Sequence, residues 1–322
     1  MNKYIGHELQ LYGVEEMRLC GGKGDGMRML NVRNGKGLEF VISVDRAADI
    51  VRASLKGDNF GFLAPCGYVS PQYYDDKGVG FLKSFTAGFF TTCGLTSVGT
   101  PCHDAGEDLP LHGTISNTPC ENIRHFIEDN KIHVVATIRD ATMFSHQLVL
   151  EREYIIPLDK NEIYMTDKIT NIGSMESPVE ILYHCNTGYP LLCEDSVISI
   201  PSTKVEPRTD HAATDIDNCL EVIEPTAGYE EMCFFHTMKG ETEVSIYNPT
   251  IKKGLKISYN ADELKYFTQW KMMGEKEYVM GLEPGNCLPD GRAIMREMGL
   301  LEFLKPEESK TYKLKFTFTE DI

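Results

Sequence analysis

The stretch TYKLKFTFT, residues 311–319, alternates strictly. Tyr312, Leu314, Phe316 and Phe318 share one parity; Lys313, Lys315, Thr317 and Thr319 share the other. Successive side chains of an extended strand point to opposite faces, so this pattern predicts a strand with one buried and one wet face. The same period of two recurs outward from it. Ile132, Val134, Ala136 and Ile138 repeat it, as do Leu148, Leu150, Arg152, Tyr154 and Ile156. EIYMTDKITN (162–171) and PVEILYH (178–184) are rich in β-branched and aromatic residues, and EFVISVD (39–45) fits as well. Helical signals are few. DRAADIV (45–51) predicts one turn of helix, and GYEEMCFF (228–235) fits either state. Many strands at short intervals, without long amphipathic helices between them, predict an all-β fold: a large sandwich of mostly antiparallel strands.

No repeat, low-complexity tract or linker interrupts the 322 residues, which predicts a single domain over 1–322. The cluster GGKGDG (21–26) lacks GxGxxG spacing and no helix-like pattern follows it. It is expected to be a hairpin turn rather than a phosphate cradle. The net charge of −16 repels phosphate backbones and anionic lipid surfaces, so neither nucleic acid nor membrane is an expected partner. No apolar run reaches the length of a membrane span, and MNKYIGHELQLYG lacks the apolar centre of a signal peptide. The expected location is the cytoplasm. Ten cysteines lie at irregular intervals with no CxxC pair, so most are expected to be reduced core thiols, with no zinc ribbon.

Three segments carry candidate chemistry. EDLPLHGTISNTP (107–119) sets His112 before Gly113 in a turn-rich stretch. ILYHCNTGYPLL (181–192) ends a strand-like run in His184, followed by Asn186 and Gly188. YVMGLEPGNCLPDGR (278–292) carries Glu283 at the end of an apolar run. A carboxylate desolvated in this way has a raised pKa, which suits a general acid or base near neutral pH. Each residue alone has a plainer reading: a loop histidine, a histidine bonded to backbone, a surface glutamate at a strand exit.

Their order adds information. VDRAADI (44–50), FLKSFTAGFFTTCGL (81–95), LHG (111–113), the strand ending in His184 after TDKITN, and finally GLEP…PDGR (281–292) follow one another. Together they resemble the galactose mutarotase-like superfamily, and more closely its aldose 1-epimerase-like (DUF4432-type) branch. The resemblance covers roughly residues 40–290 and lies in the joint order of the motifs. It implies a β-supersandwich with a hexose-sized groove. By motif it implies Glu283 as the base that takes the anomeric hydroxyl proton and His184 as the acid at the ring oxygen. His112 would assist by binding the sugar near that oxygen. The implied reaction interconverts sugar anomers by ring opening, rotation about the first carbon–carbon bond and reclosure, with no cofactor and no metal.

The chain also departs from the superfamily pattern. HCNTGYPLL lacks the usual aromatic neighbour of the strand-end histidine. The substrate-binding aspartate of the superfamily lies between the second histidine and the glutamate. PSTKVEPRTD (201–210) is the candidate region here and Asp210 the candidate residue. Arg46, Lys83 and Arg292 are cations within motif segments, candidates to contact an acidic or phosphorylated sugar or, more plainly, to pair with the abundant carboxylates. Trp270, the only tryptophan, is a candidate platform for a sugar face or a core residue. The expected partner is a small sugar or sugar derivative, and a homodimer is compatible with it. Two other classes stay open. One is a metal-dependent sugar isomerase or lyase using His103, Glu107 and His112; the other is a sugar-binding protein without turnover.

Overall fold

In the computed structural model, which describes residues 3–320, the strictly alternating stretch is the strand Ser309–Thr319 inside an eight-stranded sheet. It pairs with Glu162–Asn171 on one side and Lys253–Asn260 on the other. Gln147–Pro157, Lys131–Ala141 and the edge strand Asn122–Glu128 extend the first side; Glu241–Asn248 and Val197–Ser199 extend the second. Parity survives folding: Tyr312, Leu314, Phe316 and Phe318 are all buried. The register places Phe316 between Ile163 and Ile257, so apolar rows from neighbouring strands merge into one face. Burying each such side chain contributes about 1.5–3 kcal/mol.

A second sheet packs against that face and carries the candidate site. Its strands are β1 (Phe90–Leu95), β2 (Ser177–Gly188), β3 (Met232–Thr237), β4 (Tyr266–Gly274) and β5 (Glu277–Gly285). Across the sheet the order is Lys204–Pro207, β3, β4, β5 and β2, with β1 and Glu302–Leu304 on the far side of β2. A third, five-stranded sheet runs from Gly13–Arg18 through Asp49–Leu55 to Asp58–Asn59. One apolar cluster draws on all three sheets, through Phe40, Ile50, Phe90, Ile181, Leu282 and Phe316 among others. All named strand pairs are antiparallel, and among the described residues α-helix is confined to Asp210–Ala213 and Arg292–Glu297.

Local expectations resolve as follows. DRAADIV is not a turn of helix: Ala47 and Ala48 take left-handed φ values of 49° and 56°, and the strand Asp49–Leu55 begins at once. The β-branched residues Ile50 and Val51 belong to that strand. GYEEMCFF supplies β3. GGKGDG joins two paired antiparallel strands, Gly13–Arg18 and Arg28–Arg33, as a hairpin connection. Cys93, Cys120, Cys185, Cys219 and Cys287 are buried, and all ten cysteines are unpaired thiols. Among the described residues no helix is long and apolar enough to cross a membrane.

Both faces of β2 are buried, each in a different surrounding. Val179, Ile181, Tyr183 and Cys185 enter the common core. Glu180, Leu182, His184 and Asn186 have the opposite parity, and chain segments 79–85 and 96–113 fold over that second face.

Candidate active site

The pairing of β2 with β5 sets Leu182 opposite Gly285 and Cys185 opposite Leu282. The same register brings His184 beside Glu283 on the face turned away from the core. His184 Nδ1 lies 3.2 Å from Glu283 Oε1. The two residues are only 5 % and 2 % exposed. Gly281 makes room for this: a Cβ there would run into Glu283 Oε1 and the Trp270 side chain.

Asn186 orients the imidazole. Its side-chain amide donates to the carbonyls of Ala87 (3.1 Å) and His184 (2.8 Å), which turns Oδ1 toward the ring, 2.7 Å from His184 Nδ1. His184 therefore donates through Nδ1–H and keeps Nε2 for proton exchange.

His112 arrives from a tight loop. His112 and Gly113 are both left-handed, with φ of 58° and 71°. At Gly113 a side chain would strike the carbonyl oxygens of Gly94 and Ser97, so glycine is required there. The turn is pinned by the His112 N–H to Gly99 O and the Gly94 N–H to His112 O, both 3.0 Å. A left-handed non-glycine residue costs on the order of 1–3 kcal/mol and persists only where its surroundings hold it, commonly at functional sites. The loop sets the His112 ring 5.5 Å from that of His184. Phe81 packs on His112 at 5.3 Å, and Phe85 and Trp270 pack on His184 at 5.1 and 5.2 Å.

These groups line a cavity of about 360 Å³, the size of a small-molecule site. Three buried atoms in it, Glu283 Oε1, His112 Nδ1 and Thr268 Oγ1, have no hydrogen-bond partner. Buried polar atoms are paired in the great majority of cases, so three unpaired ones around one cavity set these groups apart as the polar atoms open to a small molecule entering it. Burial pushes the Glu283 carboxyl well above the ordinary carboxylate range; Glu231 adds to this and Arg208 opposes it. Burial also pulls His184 down to about 4, against the bond to Asn186. His112 is held well below the usual histidine value by enclosure, then by His184 and Arg208. The floor thus disfavours net charge. A buried carboxylate is a stronger base than an exposed one, and a buried imidazolium a stronger acid.

Of the other residues singled out in the sequence, Trp270 lines the cavity, its indole N–H donating to Glu231 Oε2 at 2.6 Å. Arg46 does not reach it: the guanidinium is buried, bonds Val69 O at 3.1 Å, and burial lowers its pKa to about 10. Lys83 is exposed and pairs with Asp75 at 2.7 Å. Asp210 sits exposed in the first turn of a short helix, outside the lining. Arg292 is buried between Asp104 (2.6 Å) and Glu107 (2.7 Å), beside a larger depression of about 510 Å³ that holds none of the Glu283, His184 and His112 group. These four cations and acids have found partners or solvent elsewhere. The structure adds lining residues that sequence reasoning missed: Arg208, Glu231, Cys233 and Thr268. Arg208 stands two residues before Asp210 within the segment already suspected. Its Nε donates to Asp290 (2.9 Å) and its Nη2 to Thr100 Oγ1 (2.8 Å). The possible metal ligands stay apart: His103 pairs with Asp108 on an exposed hairpin, Glu107 is held by Arg292, and only His112 faces the cavity.

A large all-β sandwich of antiparallel strands is the fold of the galactose mutarotase-like proteins. The chain belongs to the family described as "Domain of unknown function (DUF4432)", whose model matches residues 24–318. It is similar in structure to a "putative aldose 1-epimerase" from Klebsiella pneumoniae, with a TM-score of 0.91 and 25% identity over 98% of this chain and 86% of that one. A galactose mutarotase-like protein from Clostridium acetobutylicum follows at a TM-score of 0.71 and 15% identity, over 96% and 99% of the two chains. A "putative mutarotase" from Salmonella typhimurium reaches 0.63 at 10% identity, over 95% and 93%. The last two likenesses establish the fold alone. No functionally curated protein matches the sequence.

Proposed function

We infer that the protein is an aldose 1-epimerase acting on a small sugar. The observation that carries the reading is the adjacency of Glu283 and His184, 3.2 Å apart, buried together on the cavity floor beside His112. Opening a hemiacetal ring requires one proton removed from the anomeric hydroxyl and one delivered to the ring oxygen. Glu283 as carboxylate takes the first. His184, protonated on Nε2, delivers the second. His112 holds the ring oxygen in place. After rotation about the C1–C2 bond the two residues reverse roles and the ring closes on the other face. The pair carries one proton throughout, so the site stays neutral. Neither redox chemistry nor group transfer enters this scheme.

The decisive experiment is exchange NMR on a panel of reducing sugars, comparing the anomer interconversion rate with and without protein. The reading expects catalysed exchange that Glu283→Gln lowers by about 10²–10⁴-fold while sugar binding survives. A panel that binds without accelerated exchange would assign the groove to binding alone. Exchange unaffected by Glu283→Gln would place the chemistry elsewhere.

A further inference from the structure

Behind the cavity lies a buried carboxyl that the acid–base scheme does not use. Glu180 stands on β2 four residues before His184 and has the same parity. The strand therefore presents both from one face, about 13 Å apart along its length. Glu180 is 1 % exposed. Its Oε2 accepts the Val98 N–H at 2.9 Å, and its Oε1 has no hydrogen-bond partner. Neither Glu180 nor Val98 lines the cavity.

Val98 belongs to the strap that leads from β1 toward the His112 turn. Residues 96–99 are buried, and Gly99 is left-handed, with φ of 81°. The Gly99 carbonyl accepts the His112 N–H, and the Gly94 N–H donates to the His112 carbonyl, both at 3.0 Å. The His112 backbone is thus fastened to both ends of the segment 94–99. Glu180 holds that segment one residue from its Gly99 end. The charged groups facing Glu180 are Arg292, Asp104 and Arg296, and the two arginines are themselves paired with Asp104, at 2.6 and 2.7 Å. Burial pushes the Glu180 carboxyl up to about 8, so near neutral pH the neutral acid prevails. Enclosing a carboxyl with one oxygen unpartnered is costly. An apolar side chain of similar length fills the same space without that cost, but cannot accept the Val98 N–H.

We propose that Glu180 is a positioning residue for the acid–base site: by holding the Val98 N–H it fixes the strap that sets the His112 ring against His184. The proposal rests on the epimerase reading of that site. Through this bond one strand places both imidazoles, His184 directly and His112 by way of Val98 and Gly99. Without it the His112 ring drifts from the sugar's ring oxygen, and a displacement of about 1 Å costs up to about 10²-fold in rate.

A double-variant cycle on the full chain tests this, with anomer exchange as the readout. Glu180→Gln keeps the shape and a carbonyl acceptor and should hold exchange within about twofold of native. Glu180→Met keeps the length without the acceptor and should lower kcat/KM by about 10- to 100-fold. In a His112→Asn background the same Glu180→Met change should cost less than about twofold, because the residue it positions is gone. The imidazole NMR signals of His112 should move in Glu180→Met and return in Glu180→Gln. If Glu180→Met does not fold, Glu180→Asp, which retracts the carboxyl by one methylene, takes its place in the cycle. Equal losses with and without His112, or a Glu180→Gln variant as impaired as Glu180→Met, overturn the proposal and leave the epimerase reading standing: the carboxyl then serves folding alone. Native exchange in Glu180→Met does the same. Absence of exchange by the native protein on every reducing sugar overturns both.

Discussion

Two regions of this molecule bury ionisable groups, and they do so in opposite ways. In the core, Arg152 is fully enclosed, yet its donors are all matched. Nε and Nη2 bond Asp167 at 2.8 and 2.6 Å, Nη1 bonds Asp49 at 2.7 Å and Ala47 O at 3.0 Å, and Nη2 also bonds Thr92 Oγ1 at 2.8 Å. Burial works against the guanidinium's charge, but Asp167, Tyr154 and Asp49 together more than offset it and hold the pKa above its ordinary value. This cluster ties the eight-stranded sheet to the five-stranded sheet and to β1. On the second sheet Glu283 is equally buried, but Oε1 has no hydrogen bond and burial drives its pKa up. Full partnership makes a buried charge a rivet. Missing partnership leaves it free to exchange protons with something that enters.

Breaking the contrast on the site side should give the largest effect. Glu283→Gln should lower the anomer-exchange rate by about 10²–10⁴-fold, and His184→Asn by a similar factor. The double variant should lose far less than the product of the two, since both residues serve one coordinated proton movement. Breaking it on the core side should cost stability instead. Arg152→Met strands Asp49 and Asp167 and should lower unfolding free energy by about 3–5 kcal/mol, measured by urea denaturation.

The stability response of Glu283→Gln sharpens the same contrast. A folded-state pKa above the unfolded carboxylate value of 4.5 means the folded chain binds the extra proton. Stability therefore falls as pH rises from about 4.5 through the folded pKa, and is not recovered above it. Removing the charge should raise the melting temperature at pH 8 and leave it nearly unchanged at pH 4. The exchange rate should follow a bell in pH, with the acid limb near the His184 value of about 4 and the alkaline limb set by loss of the pair's single proton. Glu283→Gln should remove the alkaline limb from whatever exchange remains. The smallest effect is expected at Lys83, exposed and paired with Asp75. Lys83→Ala should shift stability by no more than about 0.5 kcal/mol and leave exchange unchanged.

The strands were legible because alternation is a property of consecutive residues. Phe316 and Phe318 announce their face without reference to any other segment. The helix expected at DRAADIV failed because a bend through two left-handed alanines has no alternating signature. His184 and Glu283 could be picked out at the ends of apolar runs and by family resemblance, although β2 and β5 continue past them to Gly188 and Gly285. Their mutual distance depends on β2–β5 register, a pairing between segments about a hundred residues apart. Arg46, Lys83 and Arg292 show the limit most clearly. In a chain with 48 acidic and 32 basic residues most cations find a carboxylate, and motif membership does not reveal which one. Arg208 and Thr268 were missed because their neighbours in sequence carry no pattern; they line the cavity because β4 runs beside β5, β3 beside β4, and Lys204–Pro207, which leads into Arg208, beside β3.

The pairing of β2 with β5 gives the site something like a reading frame. Side chains in a strand change face with every residue, so one residue inserted ahead of Glu283 within β5 would send the carboxylate into the core and turn its neighbour outward. The same holds for His184 in β2. Substitutions can retune either strand, but a single insertion garbles it. The segments that line much of the rest of the cavity, 79–85, 99–101, 111–112 and the stretch that ends in Glu231, are turns and connections with no such frame. Length changes there alter what the cavity admits and leave the Glu283–His184 pair in phase.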